Sequence, residues 1–401
     1  MKKLMLLGGL RYLIPVIETA HKEGIYVITC DYLPNNIAHK YSDEYYNVNI
    51  TNKEAVLRLA NELRIDGIMS FAVDPGVITA AYVANKMNLP APGPYESVKI
   101  LQNKALFRRF LEENNFNVPK ARGYNNVNEA LSDYKFFNWP VIVKPVDSAG
   151  SKGVQKVDDL KCLKESILHS LSFSKIKEFI IEDFIEQKGY STDSDSFSLN
   201  GELIYFTLSN QRFDADAENP YTPSGFSWPS SISPELQSQL RNEIQRLLSL
   251  LKMDTSLYNI EARIGTDNKA YIMEVSPRGG GNRLSEMIYY ATGVDLIKHA
   301  VKSAIGECVS DLYEMNYKGN WGEIILHSET EGVFDSLEID SEIKKYVVEV
   351  DLWVKDGDLI KSFTGANETI GTIVVNCDNQ KQLNHLLDNY KKWVKIKIKK
   401  S

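Results

Sequence analysis

Residues 258–284 read YNIEARIGTDNKAYIMEVSPRGGGNRL, and the fold turns on this stretch. Residues 258–264 and 270–275 are rich in apolar and β-branched side chains and flank Gly265-Thr266-Asp267-Asn268-Lys269, which has the composition of a tight connection. That is a hairpin. With its strands antiparallel, the alternation of side chains along each strand brings Glu261 and Glu274 to one face. Two carboxylates so close repel each other unless a cation lies between them. Mg²⁺ suits that place, because it takes oxygen ligands and keeps waters and substrate phosphates in its shell. Pro277, Arg278 and Gly279-Gly280-Gly281 follow, so the backbone can approach a ligand closely and Arg278 offers a forked cation to an anionic oxygen. The bland alternative keeps both glutamates as solvated strand residues, with Arg278 paired to one of them.

Working outward, 401 residues allow two or three domains with ample apolar content for their cores. The formal charge of −7 argues against a nucleic-acid surface. The basic end, residues 391–400, alternates like a strand with one wet face. Cys30, Cys162, Cys308 and Cys377 form no Cys-x-x-Cys pair and the six histidines show no ligand spacing, so neither a zinc site nor a disulfide framework is suggested. The first ten residues lack a long apolar signal region and no segment is apolar enough to span a bilayer. The expectation is a cytoplasmic protein without membrane or nucleic-acid partners.

Residues 1–93 alternate strand and helix patterns, as in an open parallel α/β sheet. Gly8-Gly9 and Asp31 fall short of a dinucleotide fingerprint and read as structural turns. Pro90, Pro92, Gly93 and Pro94 mark the first boundary. Residues 97–114 carry a helical pattern with Lys104, Arg108 and Arg109. In Trp139-Pro-Val-Ile-Val-Lys144-Pro145 one lysine stands in apolar company, which is costly unless it has an anionic partner. Asp147-Ser148-Ala149-Gly150-Ser151-Lys152-Gly153 follows, a small, hydroxyl-bearing loop able to turn N–H groups onto a phosphate, or else a plain mobile turn. Phe179-Ile-Ile-Glu182-Asp183-Phe184-Ile185 is a further apolar run with Glu186 behind it. Asn200-Gly201 marks a second hairpin, after Asp193-Ser194-Asp195. Residues 211–233 show little periodicity and read as a long functional loop. A strongly amphipathic helix spans 236–251 and another lies at 296–304, and 321–400 is mostly strands with a helix around 383–390.

A lysine in a helix, a second in a V-I-V-K-P strand, a Ser/Gly loop, an E-D-F-I run, a two-carboxylate hairpin and a closing P-R form an ordered series over essentially the whole chain. This series resembles the ATP-grasp superfamily, specifically its carboxylate–amine ligases, and is similar to biotin carboxylase, carbamoyl-phosphate synthase large chain and the purine-pathway ligases. The resemblance implies an N-terminal open parallel α/β domain (1–93), an ATP-grasp core (94–310, with a lid at about 118–187) and a small C-terminal α+β lobe (311–401). It implies that ATP is held by Lys104 and Lys144, by Ser148, Gly150, Ser151 and Gly153 of a phosphate lid, and by a hinge of Glu182, Phe184 and Ile185. Glu186 is the nearest candidate for ribose, since Gly189 stands at the family's usual glutamate. Glu261 and Glu274 are implied to hold Mg²⁺, or Mn²⁺ in its stead, and Arg278 to steady an acyl phosphate, with Arg278, Lys144 and Glu274 as the catalytic set. Ser276 departs from the asparagine many relatives have there, as a similar E-V-S-P-R does in formate-dependent glycinamide ribonucleotide transformylase.

The implied chemistry joins a small-molecule carboxylate to an amine, releasing ADP. Arg212, Tyr221, Trp228, Asn282 and Arg283 are candidates for the acceptor pocket, Arg283 being suited to a second carboxylate. Two other readings stand beside this one: a glycinamide ribonucleotide-type ligase or formyl transferase, and a nucleotide-binding regulatory module without turnover. A homodimer is the expected assembly.

Overall fold

The computed structural model describes residues 1–310, 312 and 316–399. Lys3–Leu7 contributes four side chains with no exposure at all, and a strand buried on both faces calls for a parallel sheet covered by helices. It pairs in parallel with Tyr26–Asp31 on one side and Gly67–Ser70 on the other, and Glu44–Asn47 closes the far edge. Gly8-Gly9 is a turn at the end of the first strand, with Gly8 at φ 116° and its N–H on the Cys30 carbonyl.

A second, antiparallel sheet runs in the order Ala121–Tyr124, Phe179–Asp183, Val141–Pro145, Gln155–Val157, with helix Leu160–Phe173 packed across it. The third holds the two hairpins side by side: Glu202–Tyr205, Thr192–Leu199, Ser256–Ile264, Ala270–Ser276. Asn200 and Gly201 both have positive φ, 52° and 82°, which suits the twist of a two-residue hairpin. Helix Pro234–Leu250 covers this sheet with Leu240, Ile244, Leu247 and Leu248.

Two expectations change. Residues 97–114 form two helices, Tyr95–Gln102 and Lys104–Glu113, because Asn103 is extended (φ −118°, ψ 112°) and its side chain caps Ala105 and Leu106. The break places Lys104 at the start of the second helix, its N–H on the Val146 carbonyl. Residues 211–233 are not a loop throughout: Asn210–Phe213 and Pro223–Trp228 pair antiparallel and join Asn320–Leu326, Gly371–Cys377 and Val347–Leu352 in a five-stranded sheet. Periodicity missed Pro223–Trp228 because Ser224, Gly225, Phe226, Ser227 and Trp228 are all buried, which removes the alternation. Leu359–Ile360, Gly332–Ile339 and Val394–Lys399 form the last sheet. Lys400, expected in that strand, and residue 311, expected to begin the C-terminal lobe, lie outside the described residues. No helix among the described residues is long and apolar enough to cross a membrane.

The parallel sheet meets the central hairpin at Gly279. Ala72 (φ 53°) gives its N–H to the Gly279 carbonyl at 3.0 Å, and a Cβ on Gly279 would lie 2.2 Å from the Phe71 ring. Gly279→Ala is therefore predicted to cost about 1–3 kcal/mol by overpacking. Urea denaturation reads it; an unchanged midpoint would contradict the contact.

Candidate functional site

Register brings three carboxylates into one row. Glu261 is paired with Glu274 on one neighbouring strand and with Asp193 on the other, so the three side chains share a face of the sheet. Asp193 is pushed well above the usual carboxylate range, by burial first and by the charge of Glu261 next. It also accepts from Asn259 Nδ2 at 2.6 Å. A row of oxygen donors that repel each other is the donor set a hard divalent cation takes, so these residues fit Mg²⁺. Lys104 leans on the row: Nζ is 3.4 Å from Glu274 Oε2 and donates to the Ser148 carbonyl at 2.9 Å. One ammonium thus ties the acidic row to the glycine loop. Another acidic cluster, Asp214, Asp216 and Glu329, already holds a cation, since Lys391 Nζ lies 2.5–3.2 Å from all three.

Lys144 has the anionic partner its burial calls for. Its ammonium meets Glu182 Oε1, whose other oxygen accepts from Arg108 Nε at 2.9 Å. All three are buried. Burial alone would raise Glu182, but the charges of Arg108 and then Lys144 outweigh it and hold the carboxyl down at about 2. Arg108 Nη1 also donates to the Ile272 and Met273 carbonyls, so the triad fastens helix Lys104–Glu113 to the second sheet and to the hairpin sheet. The Glu182 side chain therefore belongs to the core beneath Lys144. Phe184, just past the strand, gives its N–H to Pro140 and lies under Lys156 Nζ. Ile185 is half-buried, and Glu186 is exposed with its carbonyl receiving the Thr266 N–H.

The glycine loop leaves Pro145 through three left-handed positions, Gly150 (φ 66°), Ser151 (58°) and Gly153 (74°). Ser151 Oγ donates to the Tyr221 carbonyl at 2.8 Å, and the Ser151 carbonyl accepts from Asn219 Nδ2, which also reaches the Thr364 carbonyl. The loop is thereby tied to residues 219–221 and, through Asn219, to 364. Tyr221 meets it through backbone.

Arg278 is nearly buried and grips the N-terminal sheet's helix: Nε and Nη2 each lie 2.9 Å from an oxygen of Asp74, the first residue of helix Asp74–Met87. Its free edge is small, since Nη1 donates to the Gly279 carbonyl. Ser276 Oγ reaches Asp74 at 3.2 Å and accepts from Gln102 at 2.7 Å, so it faces away from a ligand role toward that clasp. The next turn is pinned by Asp195, which accepts from Gly280 N at 2.9 Å and from Ser285 Oγ. A Cβ on Gly280 would come within 2.9 Å of that same carboxylate.

Three acceptor-pocket candidates are used differently. Arg212 is committed to Asp388 (2.7 Å), Asn384 and Ser227, anchoring the five-stranded sheet to helix Gln380–Asp388. Trp228 is fully buried with Nε1 toward Ser194 Oγ. The Arg283 fork is filled by Glu286 and Glu349, which leaves nothing for a second carboxylate. Asn282 receives the Tyr12 hydroxyl at 3.3 Å, and both Asn282 and Arg283 hold left-handed backbone (φ 51° and 56°), a strain of the kind that collects at functional sites. Sequence reasoning missed Asp74, Arg108, Asp193 and Asp195. Only the last two had a legible signal, the i, i+2 spacing of acids entering a strand.

An open parallel sheet, an antiparallel sheet carrying a buried lysine and a glycine loop, and a hairpin sheet carrying an acidic row together define an ATP-grasp fold. Residues 137–286 match the family model described as an ATP-grasp domain. It is 26% identical over 295 residues to the carbamoyl phosphate synthase large chain of Pseudothermotoga lettingae, covering 73% of this chain and 26% of that one. The chain spans between about a quarter and about half the length of the first curated relatives it matches. Among solved structures, the L-amino acid ligase of Bacillus licheniformis superposes with a TM-score of 0.82 at 20% identity, covering 100% of this chain and 99% of that one. The biotin carboxylase domain dimer of Hydrogenobacter thermophilus 2-oxoglutarate carboxylase, solved with MgADP, ADP and bicarbonate, gives 0.74 at 16% identity, covering 99% and 91%.

Proposed function

We propose that the protein is an ATP- and Mg²⁺-dependent ligase that activates a small-molecule carboxylate as an acyl phosphate, releasing ADP, and joins it to an amine. The observation that carries this reading is the row Asp193–Glu261–Glu274 with Lys104 bridging Glu274 to the glycine loop. Lys144 and Lys104 would hold the phosphates of ATP, Ser148, Gly150, Ser151 and Gly153 would cover them, and residues 182–186 would hold the base. Glu261 and Glu274, joined by Asp193, would hold Mg²⁺, which would supply charge neutralisation to the phosphates. The reading keeps three units, 1–93, 94–310 and 311–401, with Asn210–Phe213 and Pro223–Trp228 of the second completing a sheet of the third, and a homodimer as the proposed assembly.

The first step brings two anions together, so the chain's task is electrostatic. A carboxylate oxygen attacks the γ-phosphorus and the bond to the β-phosphate oxygen breaks, giving ADP and acyl phosphate. Lys104 and Lys144 meet the developing charge without reorganising, because Ser148, Glu274 and Glu182 already hold them. The amine then attacks the acyl carbon, phosphate leaves, and the nitrogen loses a proton to give the amide. Arg278, fixed by Asp74, orients the acyl group, and the glycine loop, closed on residues 219–221, keeps water from the intermediate.

The test is ATP turnover with Mg²⁺ against pooled carboxylic acids, with and without pooled amines, resolving ADP from AMP. ADP and phosphate that need a particular acid and amine support the reading. AMP with pyrophosphate would overturn it.

A further inference from the structure

Beside the triple glycine, four separate pieces of chain build a side-chain cluster of inverted charge. Tyr12 comes from the turn after the first strand, Asn282, Arg283 and Glu286 from the start of helix Leu284–Thr292, Glu323 from strand Asn320–Leu326 and Glu349 from strand Val347–Leu352. Glu323 and Glu349 are both paired with Val374 on the strand between them, so they lie in line across the sheet. The single guanidinium is already used: Arg283 Nε and Nη2 sit 3.2 and 3.1 Å from Glu286 Oε1, and Nη1 is 2.8 Å from Glu349 Oε1.

Glu323 is the group left over. It has no exposure, and neither carboxylate oxygen has a hydrogen-bond partner among the described residues. Buried polar groups are ordinarily paired, and an unpaired buried carboxylate is among the costliest arrangements a core can hold. Burial pushes Glu323 well above the usual carboxylate range, with Arg283 opposing and Glu286 and Glu349 adding to it. Glu286 and Glu349 share one guanidinium, and Glu323, favoured in its protonated form while unpaired, ionises when a cation is brought beside it. Glu323 is the buried end of the cluster, and at the other the Glu286 and Glu349 side chains are 25% and 32% exposed. Asn282 directly follows Gly281, so the cluster adjoins the turn that carries Arg278.

We propose that this cluster takes a cationic nitrogen of a substrate, an ammonium group, with Glu323 as its counter-ion. The proposal rests on the ligase reading for which substrate brings that group, and it reverses the sign expected of Arg283 from sequence. An ammonium supplies three donors, enough to satisfy Glu323 and a second acceptor in the cluster. The nitrogen belongs either to an α-amino acid or to the far end of a substrate chain, and the test separates the two.

Calorimetric titration of the full chain with ADP and Mg²⁺ present compares hexanoate, L-norleucine and 6-aminohexanoate, which share a carboxylate and differ in the ammonium. One or both ammonium probes are expected to bind at least about tenfold more tightly than hexanoate, as a charge-assisted contact requires. Glu323→Gln, and independently Glu286→Gln, are expected to erase most of that preference, and the probe affected names the source of the nitrogen. Equal binding of all three, no binding of either ammonium, or a preference that survives in Glu323→Gln would overturn the proposal. If Glu323→Gln does not fold, the wild-type comparison and Glu286→Gln still decide. ATP turnover in the same samples tests the ligase reading separately: ammonium preference without turnover keeps the ammonium site and removes the ligase, and turnover without preference does the reverse.

Discussion

Glu274→Ala is expected to abolish ATP-dependent turnover while leaving the folded chain as stable as before, or more so. The turnover loss should be at least about a hundredfold, the scale on which removal of one electrostatic stabiliser from an active site is felt. The stability forecast has a different source. Glu274 contributes one partly exposed pair with Lys104, at 3.4 Å, worth about 0–1 kcal/mol, and a longer-range attraction to Arg278. Against it stands repulsion from Glu261, directly opposite on the next strand, which the substitution relieves. The two effects nearly cancel or leave a small gain. Turnover, Mg²⁺ titration and thermal unfolding of the metal-free chain check all three parts. A large fall in melting temperature would recast Glu274 as a structural residue.

Glu182→Gln should behave in the opposite way, costing stability of about 3–5 kcal/mol, because it leaves Arg108 and Lys144 buried against a neutral amide. The pH dependence gives an independent reading. Glu182 has a folded value of about 2, below the 4.5 of an unperturbed glutamate, so its contribution is present above the unfolded value and is lost as pH falls from about 4.5 toward 2. The shift corresponds to about 3 kcal/mol, the same order as the mutational figure. Urea denaturation of wild type and variant from pH 7 downward should show their gap narrowing across that window. A gap that stays constant to pH 2 would place the cost in packing instead of charge.

The central hairpin was legible because both of its signals are local: the turn composition at 265–269, and strand alternation that puts Glu261 opposite Glu274. Lys144 was legible for a similar reason, one charge in an apolar run. Its partner was not, since Glu182 stands 38 residues away and pairing across a sheet leaves no mark in sequence. Asp74 and Arg108 escaped for the same cause, each meeting residues more than 70 positions distant. The strand Pro223–Trp228 escaped through full burial, which erases the period on which strand recognition depends. Arg283 shows the sharper limit. Residue type alone suggested a carboxylate partner from the substrate, and the tertiary structure supplies two from the chain itself.

The most direct test of the account follows an oxygen atom. If the carboxylate attacks the γ-phosphate of ATP, one carboxylate oxygen leaves with the phosphate when the amine displaces it. Full chain, ATP and Mg²⁺ incubated with ¹⁸O-carboxylate amino acids and pooled amines should yield ADP and inorganic phosphate carrying one ¹⁸O per amide formed, read by mass spectrometry. Label found in AMP, or amide formed with unlabelled phosphate, would contradict the acyl-phosphate mechanism.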